Sequence, residues 1–244
     1  MNIWAIGDLH LSFSTPNKQM DIFGTHWKNH AQKIKENWIK KIKKNDLILI
    51  PGDISWAMNL TEALVDLNWI DSLPGKKIIL KGNHDYWWPS LKKLNENLPP
   101  SIEALQNNAI NINNVSIGGA RLWDSKEYSF NNYIETIPNT KSKEKQEIDS
   151  EKIFLRDLQK LQNSLSQMDK TAQIKIVMTH FPPIGADLKD SEVSKLLDTF
   201  NIDICIFAHL HSVKKENLYF GKKNNTKYFL VSADYINFDP VKLI

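Results

Sequence analysis

A single cysteine, Cys205, stands in this chain of 244 residues, so no disulfide can form within it. It lies in the apolar run DICIFAH, which points to a buried apolar thiol. No stretch approaches the roughly 20 apolar residues of a membrane span. The first residues, MNIWAIGDLH, lack the basic region and long apolar core of a secretory signal. These two absences give the expectation of a soluble cytoplasmic protein with no membrane partner. An excess of one charge is also missing, since 31 Lys and Arg face 28 Asp and Glu for a formal net charge of +3. That balance offers no support for bulk nucleic-acid binding, which usually shows as a clustered basic face. There is no internal repeat, no Pro/Gly-rich linker and no Gly-rich loop to cradle a phosphate. One domain over residues 1–244 is therefore expected.

What is present is ordinary globular material, 41% hydrophobic and 24% charged, enough for a substantial core. Five short apolar, β-branched-rich runs recur: NIWAIG (2–7), DLILI (46–50), KIILK (77–81), QIKIVMT (173–179) and DICIFA (203–208). Runs of this kind fit strands buried on both faces. Between the first three lie helical patterns. Trp27, Ala31, Ile34, Trp38 and Ile42 repeat at three- and four-residue spacing over 25–45, and Leu60, Leu64, Leu67 and Ile70 do so near 60–72. A shorter helix is expected near 88–97. Farther on, VSIGGARLWD (115–124) reads as a strand closed by Gly118 and Gly119. The polar stretch 137–152 reads as a surface excursion or mobile loop leading into a helix over 151–167. After residue 212 a hairpin is expected, ENLYF and KYFLVSA about a GKKNN turn. The pattern predicts an α/β class, with the strands split between two sheets.

Each of the five apolar runs ends at residues able to bind a metal or move a proton. Asp8 and His10 follow the first, Asp53 the second, Asn83 and His84 the third, His180 the fourth, and His209 and His211 the fifth. Five of the seven histidines of the chain fall at these ends. In open α/β sheets ligands gather outside the carboxyl ends of the strands, so neighbouring strands would bring all eight residues to one edge. Imidazole, carboxylate and amide donors in mixture suit Mn²⁺, Fe or Zn²⁺ better than Ca²⁺. Setting His84 aside, seven candidates exceed what one ion takes, and they suit two ions sharing a carboxylate. The other two histidines, His26 and His30, belong to the first helical pattern. His30 is expected to pack beside Trp27 and Ile34.

The ordered series DLH (8–10), GD (52–53), GNHD (82–85), TH (179–180) and AHLH (208–211) resembles the five-block signature of the calcineurin-like metallophosphoesterases. The resemblance implies a four-layer α-β-β-α sandwich with two mixed sheets face to face and helices outside. It implies that Asp8, His10 and His211 bind one metal, that Asn83, His180 and His209 bind a second, and that Asp53 bridges them. The two divalent ions would be Mn, Fe or Zn, with Mn favoured. A hydroxide held between the ions would attack phosphorus in line. His84 would act as general acid or charge stabiliser at the leaving group, so that His84 and Asp53 are the catalytic pair. Asp85 is expected to orient His84 or a metal ligand. Two departures matter: Ala208 replaces the usual glycine of the last block, and GDISWA lacks the arginine that marks the protein Ser/Thr phosphatase branch. The run of DLHLSF, PGDISWA and GNHDYWW is similar to a bacterial group of predicted phosphohydrolases of unnamed substrate.

The chain has eight tryptophans. Trp56, Trp87 and Trp88 follow metal blocks, and either wall a flat substrate group or pack the core. Arg121 either clamps a phosphate oxygen or forms a surface ion pair. The expected activity is hydrolysis of a phosphomonoester or phosphodiester on a phosphorylated small molecule or nucleotide. A DNA nuclease and a non-catalytic metal-binding scaffold of the same fold are the alternatives.

Overall fold

The computed structural model describes residues 1–135, 144–214 and 220–244, with only the helical backbone at 144–149. The chain forms two compact units, one of residues 1–106 and 231–244, the other of residues 107–230. The first unit carries strands β1 (Ile3–Ala5), β2 (Leu47–Ile50), β3 (Lys76–Leu80) and β4 (Ile102–Leu105). Neighbouring members pair in parallel. Helices α1 (His30–Lys41), α2 (Leu60–Asp71) and α3 (Leu91–Asn97) connect them in turn, the arrangement that parallel pairing requires. The expected strands at 46–50 and 77–81 are those of β2 and β3. Every residue of β2 is buried, as a continuous apolar run implies.

Helix α1 begins later than the 25–45 periodicity suggests, because Thr25–Trp27 forms a 3₁₀ turn and Asn29 takes a left-handed φ of 57°. Trp27 still joins Ile34, Trp38 and Ile42 in one core with Ile48, Leu67, Ile70 and Ile79. Asn59 caps α2 by accepting from the Glu62 N–H at 3.0 Å. Lys77, in the middle of β3, is fully buried. Its ammonium donates to the backbone carbonyls of Asp71 and Leu73 and to Ser101 Oγ. It thereby satisfies carbonyls at the C-terminal end of α2.

The second unit carries β5 (Ile110–Ile112), β6 (Val115–Ala120), β7 (Ile174–Thr179), β8 (Ile204–Phe207), β9 (Lys222–Lys223) and β10 (Thr226–Leu230). They form a sheet in the order β5-β6-β7-β8-β10-β9, antiparallel at its two outer pairs and parallel within. Helices α4 (Glu144–Ser166) and α5 (Glu192–Thr199) belong to this unit. A last strand, β11 (Val241–Lys242), belongs to the first unit and pairs antiparallel with β1. Among the described residues each unit therefore holds a mixed sheet, one of five strands and one of six.

Three expectations are corrected. Gly118 and Gly119 lie inside β6, where they admit α4: a Cβ on Gly118 would stand 3.0 Å from Met168 Sδ and 3.1 Å from Ser164 Oγ. The Gly119 N–H donates to Ser164 Oγ at 2.8 Å. Of the stretch 137–152 read as a loop, 137–143 lies outside the described residues and the rest is helical. Its Glu, Lys and Gln are good helix formers, and polarity alone does not distinguish a solvated helix from a loop. In the hairpin, Lys222 and Lys223 of the expected turn are strand, which leaves Asn224 at φ 51° to turn the chain. Most of ENLYF lies outside the described residues. Among the described residues no helix is long and apolar enough to cross a membrane.

Candidate metal centre

In the first unit the loops following β1, β2 and β3 are laced together beyond the ends of their strands. The Asp8 N–H donates to the Gly52 carbonyl at 3.0 Å, His10 N–H to Asp53 O at 2.9 Å, and Leu11 N–H to Ile54 O at 2.9 Å. Asp85 fastens the third loop to the second. Its Oδ1 accepts from the N–H groups of Ile54 (2.9 Å) and Ser55 (3.2 Å) and from the Trp87 indole (3.0 Å). Its Oδ2 accepts from the Gly82 N–H at 2.8 Å. Asp85 thus braces the loops that carry Asp53 and Asn83, rather than orienting the His84 ring. Burial, and behind it the neighbouring Asp53 charge, raise its carboxyl above the usual range.

Asp8, His10 and Asp53 are buried. A carboxylate oxygen of Asp8 lies within 4.8 Å of one from Asp53 and of a ring nitrogen of His10. Asp53 Oδ2 stands 3.7 Å from His10 Nε2, while its Oδ1 accepts the His84 backbone N–H at 2.8 Å. Gly82 makes this approach possible, since a Cβ there would fall 2.1 Å from Asp53 Oδ1 and 2.2 Å from Asp53 N. His84, half-buried, sets its ring 4.5 Å from that of Trp56, 5.8 Å from that of His10 and 6.2 Å from that of Tyr86.

The second unit presents its own imidazoles. His180 follows β7 and is fully buried, and its ring meets that of His209 edge-on at 5.2 Å. Phe181 packs against His209 at 3.9 Å between centroids. The backbone holds the pair, with His180 N–H donating to Arg121 O and Ala208 N–H to His180 O, each at 3.1 Å. His209 and His211 follow β8 and are partly exposed. Ala208 is not among the positions of positive φ, so the backbone does not require the glycine usual there. Beside His209 opens a cavity of about 340 Å³ whose walls include Trp123, Tyr128 and Phe130.

Four of the site residues are among the non-glycine residues of positive φ. Asp8 (φ 54°), His10 (44°), Asp53 (51°) and His209 (71°) all lie in the left-handed region. Non-glycine residues enter it uncommonly, and strain of this kind gathers at functional sites. No sequence pattern reported these angles.

The surroundings of Trp87 and Trp88 are those of the packing alternative. Both are buried, with indole N–H groups held by Asp85 and by Gln106 at 2.9 Å. Neither offers a free face for stacking. Arg121 bonds Asp157 through Nε (3.3 Å) and Nη2 (3.2 Å) and lies over the Trp123 ring, which is the ion-pair alternative. His30 packs edge-on against Trp27 at 5.4 Å, and burial lowers its pKa.

The donor set fits divalent transition ions. Asp53 neighbours both Asp8 and Asp85, and burying carboxylates so close together is unfavourable unless positive charge offsets them. Imidazole, carboxylate and amide donors together are the ligands such ions take.

Mixed α/β sheets with these donors at their strand ends are the make-up of a metallophosphoesterase. The calcineurin-like phosphoesterase family model matches residues 1–213, and the chain belongs to that family. The Gene 66 protein of Mycobacterium phage D29 is 34% identical over 85 residues, a match covering 34% of this chain and 40% of that protein. The chain therefore spans less than half the length of that relative. Among solved structures, the phosphopantetheinyl hydrolase PptH of Mycobacterium tuberculosis matches with a TM-score of 0.55 and 13% identity, over 100% of this chain and 95% of that one. The protein of unknown function AQ665 from Aquifex aeolicus matches at a TM-score of 0.49 and 16% identity, over 99% and 95%. The likeness to PptH is one of fold.

Proposed function

We propose that the chain is a hydrolase that uses two divalent metal ions, Mn²⁺ foremost, to cleave a phosphomonoester or phosphodiester of a small molecule or nucleotide. The observation that carries this reading is the left-handed, buried Asp8/His10/Asp53 cluster, laced loop to loop in a chain of the calcineurin-like family. Asp8, His10 and His211 hold one ion, Asn83, His180 and His209 the other, with Asp53 between them. Such ions, when bound, supply positive charge to the phosphoryl oxygens and acidify water at the site. Asn83 contributes a neutral donor, which leaves more net positive charge for an anionic phosphate. His84 donates a proton to the leaving-group oxygen, a task suited to an imidazole. The cavity beside His209 has the size of a small-molecule pocket, which supports the small-molecule reading.

Metal analysis separates the roles. Asp53→Ala is expected to lose bound Mn²⁺. His84→Ala is expected to keep it while kcat falls by ~10²–10⁴, the usual worth of acid catalysis. Equal loss of metal in both variants would overturn the division.

A further inference from the structure

We propose that Trp56 is a positioning residue that seats the His84 ring against His10. The inference rests on the reading of His84 as the group that serves the leaving oxygen. Trp56 follows the bridging candidate Asp53 by three residues and is held from several sides. Its N–H donates to the Leu11 carbonyl at 2.9 Å, and its indole N–H points at Met20 Sδ at 3.2 Å. The Lys18 ammonium bonds the Trp56 carbonyl at 3.2 Å and lies 5.5 Å from the centre of its ring. So fixed, the indole stacks on His10 at 5.0 Å with planes 23° apart, and meets His84 at 4.5 Å. His10 and His84 are themselves 5.8 Å apart. The three rings form a triangle in which the indole touches both imidazoles.

The His84 backbone is already set by its bond to Asp53 Oδ1. What that bond leaves undetermined is the rotation of the ring about its side-chain torsions. The indole limits that rotation, and aromatic contacts of this kind hold a preferred geometry. A reacting group displaced by about 1 Å can cost 10²-fold in rate. Trp56 is therefore neither plain core packing nor a substrate wall.

The test is a double-mutant cycle of Trp56→Ala and His84→Ala, with Trp56→Phe alongside, on Mn²⁺-loaded protein. It uses p-nitrophenyl phosphate and phenyl phosphate, whose leaving groups differ in their need for a proton. In the His84 background, Trp56→Ala is expected to lower kcat by ~10–10²-fold with KM and bound Mn²⁺ little changed. The loss should be larger for phenyl phosphate, and Trp56→Phe should recover most of it. Once His84 is alanine, removing Trp56 should cost almost nothing more. An equal loss with and without His84, or a loss of metal with the indole, overturns the proposal. A second readout needs no turnover. The His84 ring protons, assigned by their disappearance in His84→Ala, should be displaced by the indole ring current in metal-free protein and relax in Trp56→Ala. Unmoved signals would overturn the seating, whereas an inert wild type with moved signals would fault only the hydrolase reading.

Discussion

Removing the carboxylate of Asp85 should damage the protein more than its distance from the reacting atoms suggests. Four buried N–H donors converge on it, from Ile54, Ser55, Gly82 and Trp87, at 2.8–3.2 Å. A net hydrogen bond is worth about 1 kcal/mol, and a buried donor left unsatisfied costs about 1–3 kcal/mol. Against this, burial and the Asp53 charge already disfavour the carboxylate, so the four bonds do not count at full value. Asp85→Ala is expected to cost about 3–5 kcal/mol, the cost of several orphaned neutral donors less this discount. In Asp85→Asn an oxygen can keep Ile54, Ser55 and Trp87, but the amide then sets its own N–H against that of Gly82. One bond is lost and one donor pair is forced together, for about 1–3 kcal/mol. Urea unfolding in chelator, followed by tryptophan fluorescence and by circular dichroism, measures both variants free of metal linkage. Coincidence of the two probes licenses the comparison in a chain of two compact units. An alanine variant within about 1 kcal/mol of wild type, or an asparagine variant as damaged as the alanine one, would refute this account of Asp85.

Two further predictions rest on other contacts. Gly82→Ala should sharply lower Mn²⁺ binding measured by calorimetry, because its Cβ would fall 2.1 Å from Asp53 Oδ1; unchanged affinity would show that the loops yield. Lys77, its pKa lowered by burial to about 8, is charged in both folded and unfolded chains below that pH. Between about 8 and the ordinary lysine value near 10.4 the unfolded chain binds more protons, so stability should rise with pH in that window. The rise is at most about 3 kcal/mol, and is smaller to the extent that the carbonyls around the ammonium favour its charged form. Lys77→Met should remove the slope in urea unfolding compared across those pH values.

Much of this was legible in the chain because two different signals coincided. Apolar runs such as LILI, buried along its whole length, announce strands by composition alone. The polar residues directly after them could then be located at strand ends without any coordinate. The blocks around Asp8, Asp53, Asn83, His180 and His209 were readable for that reason. Helix boundaries and loop bracing were not. Glu, Lys and Gln, which recur from 144 onward, suit a helix as well as a loop, so polarity gave no sign of helix there. β11 is two residues long and carries no periodicity. Asp85 reads in the sequence as orienting the adjacent His84 or a ligand, and only the fold shows it reaching back to Ile54 and Ser55, some 30 residues away in sequence. Trp56, Trp87 and Trp88 share one local signal, a tryptophan after a metal block. The fold divides them, burying the last two, stacking the first on His10 and setting it against His84 at a tilt.

The central claim, metal-dependent phosphoester hydrolysis, is tested most directly by turnover of p-nitrophenyl phosphate and bis(p-nitrophenyl) phosphate. Metal-stripped protein is assayed before and after addition of Mn²⁺. Hydrolysis that appears with Mn²⁺, disappears with chelator and returns when the ion is restored is the expected result. Absence of turnover of either ester with Mn²⁺, Fe, Zn²⁺ or Ni²⁺, from about pH 6 to 9, would contradict it.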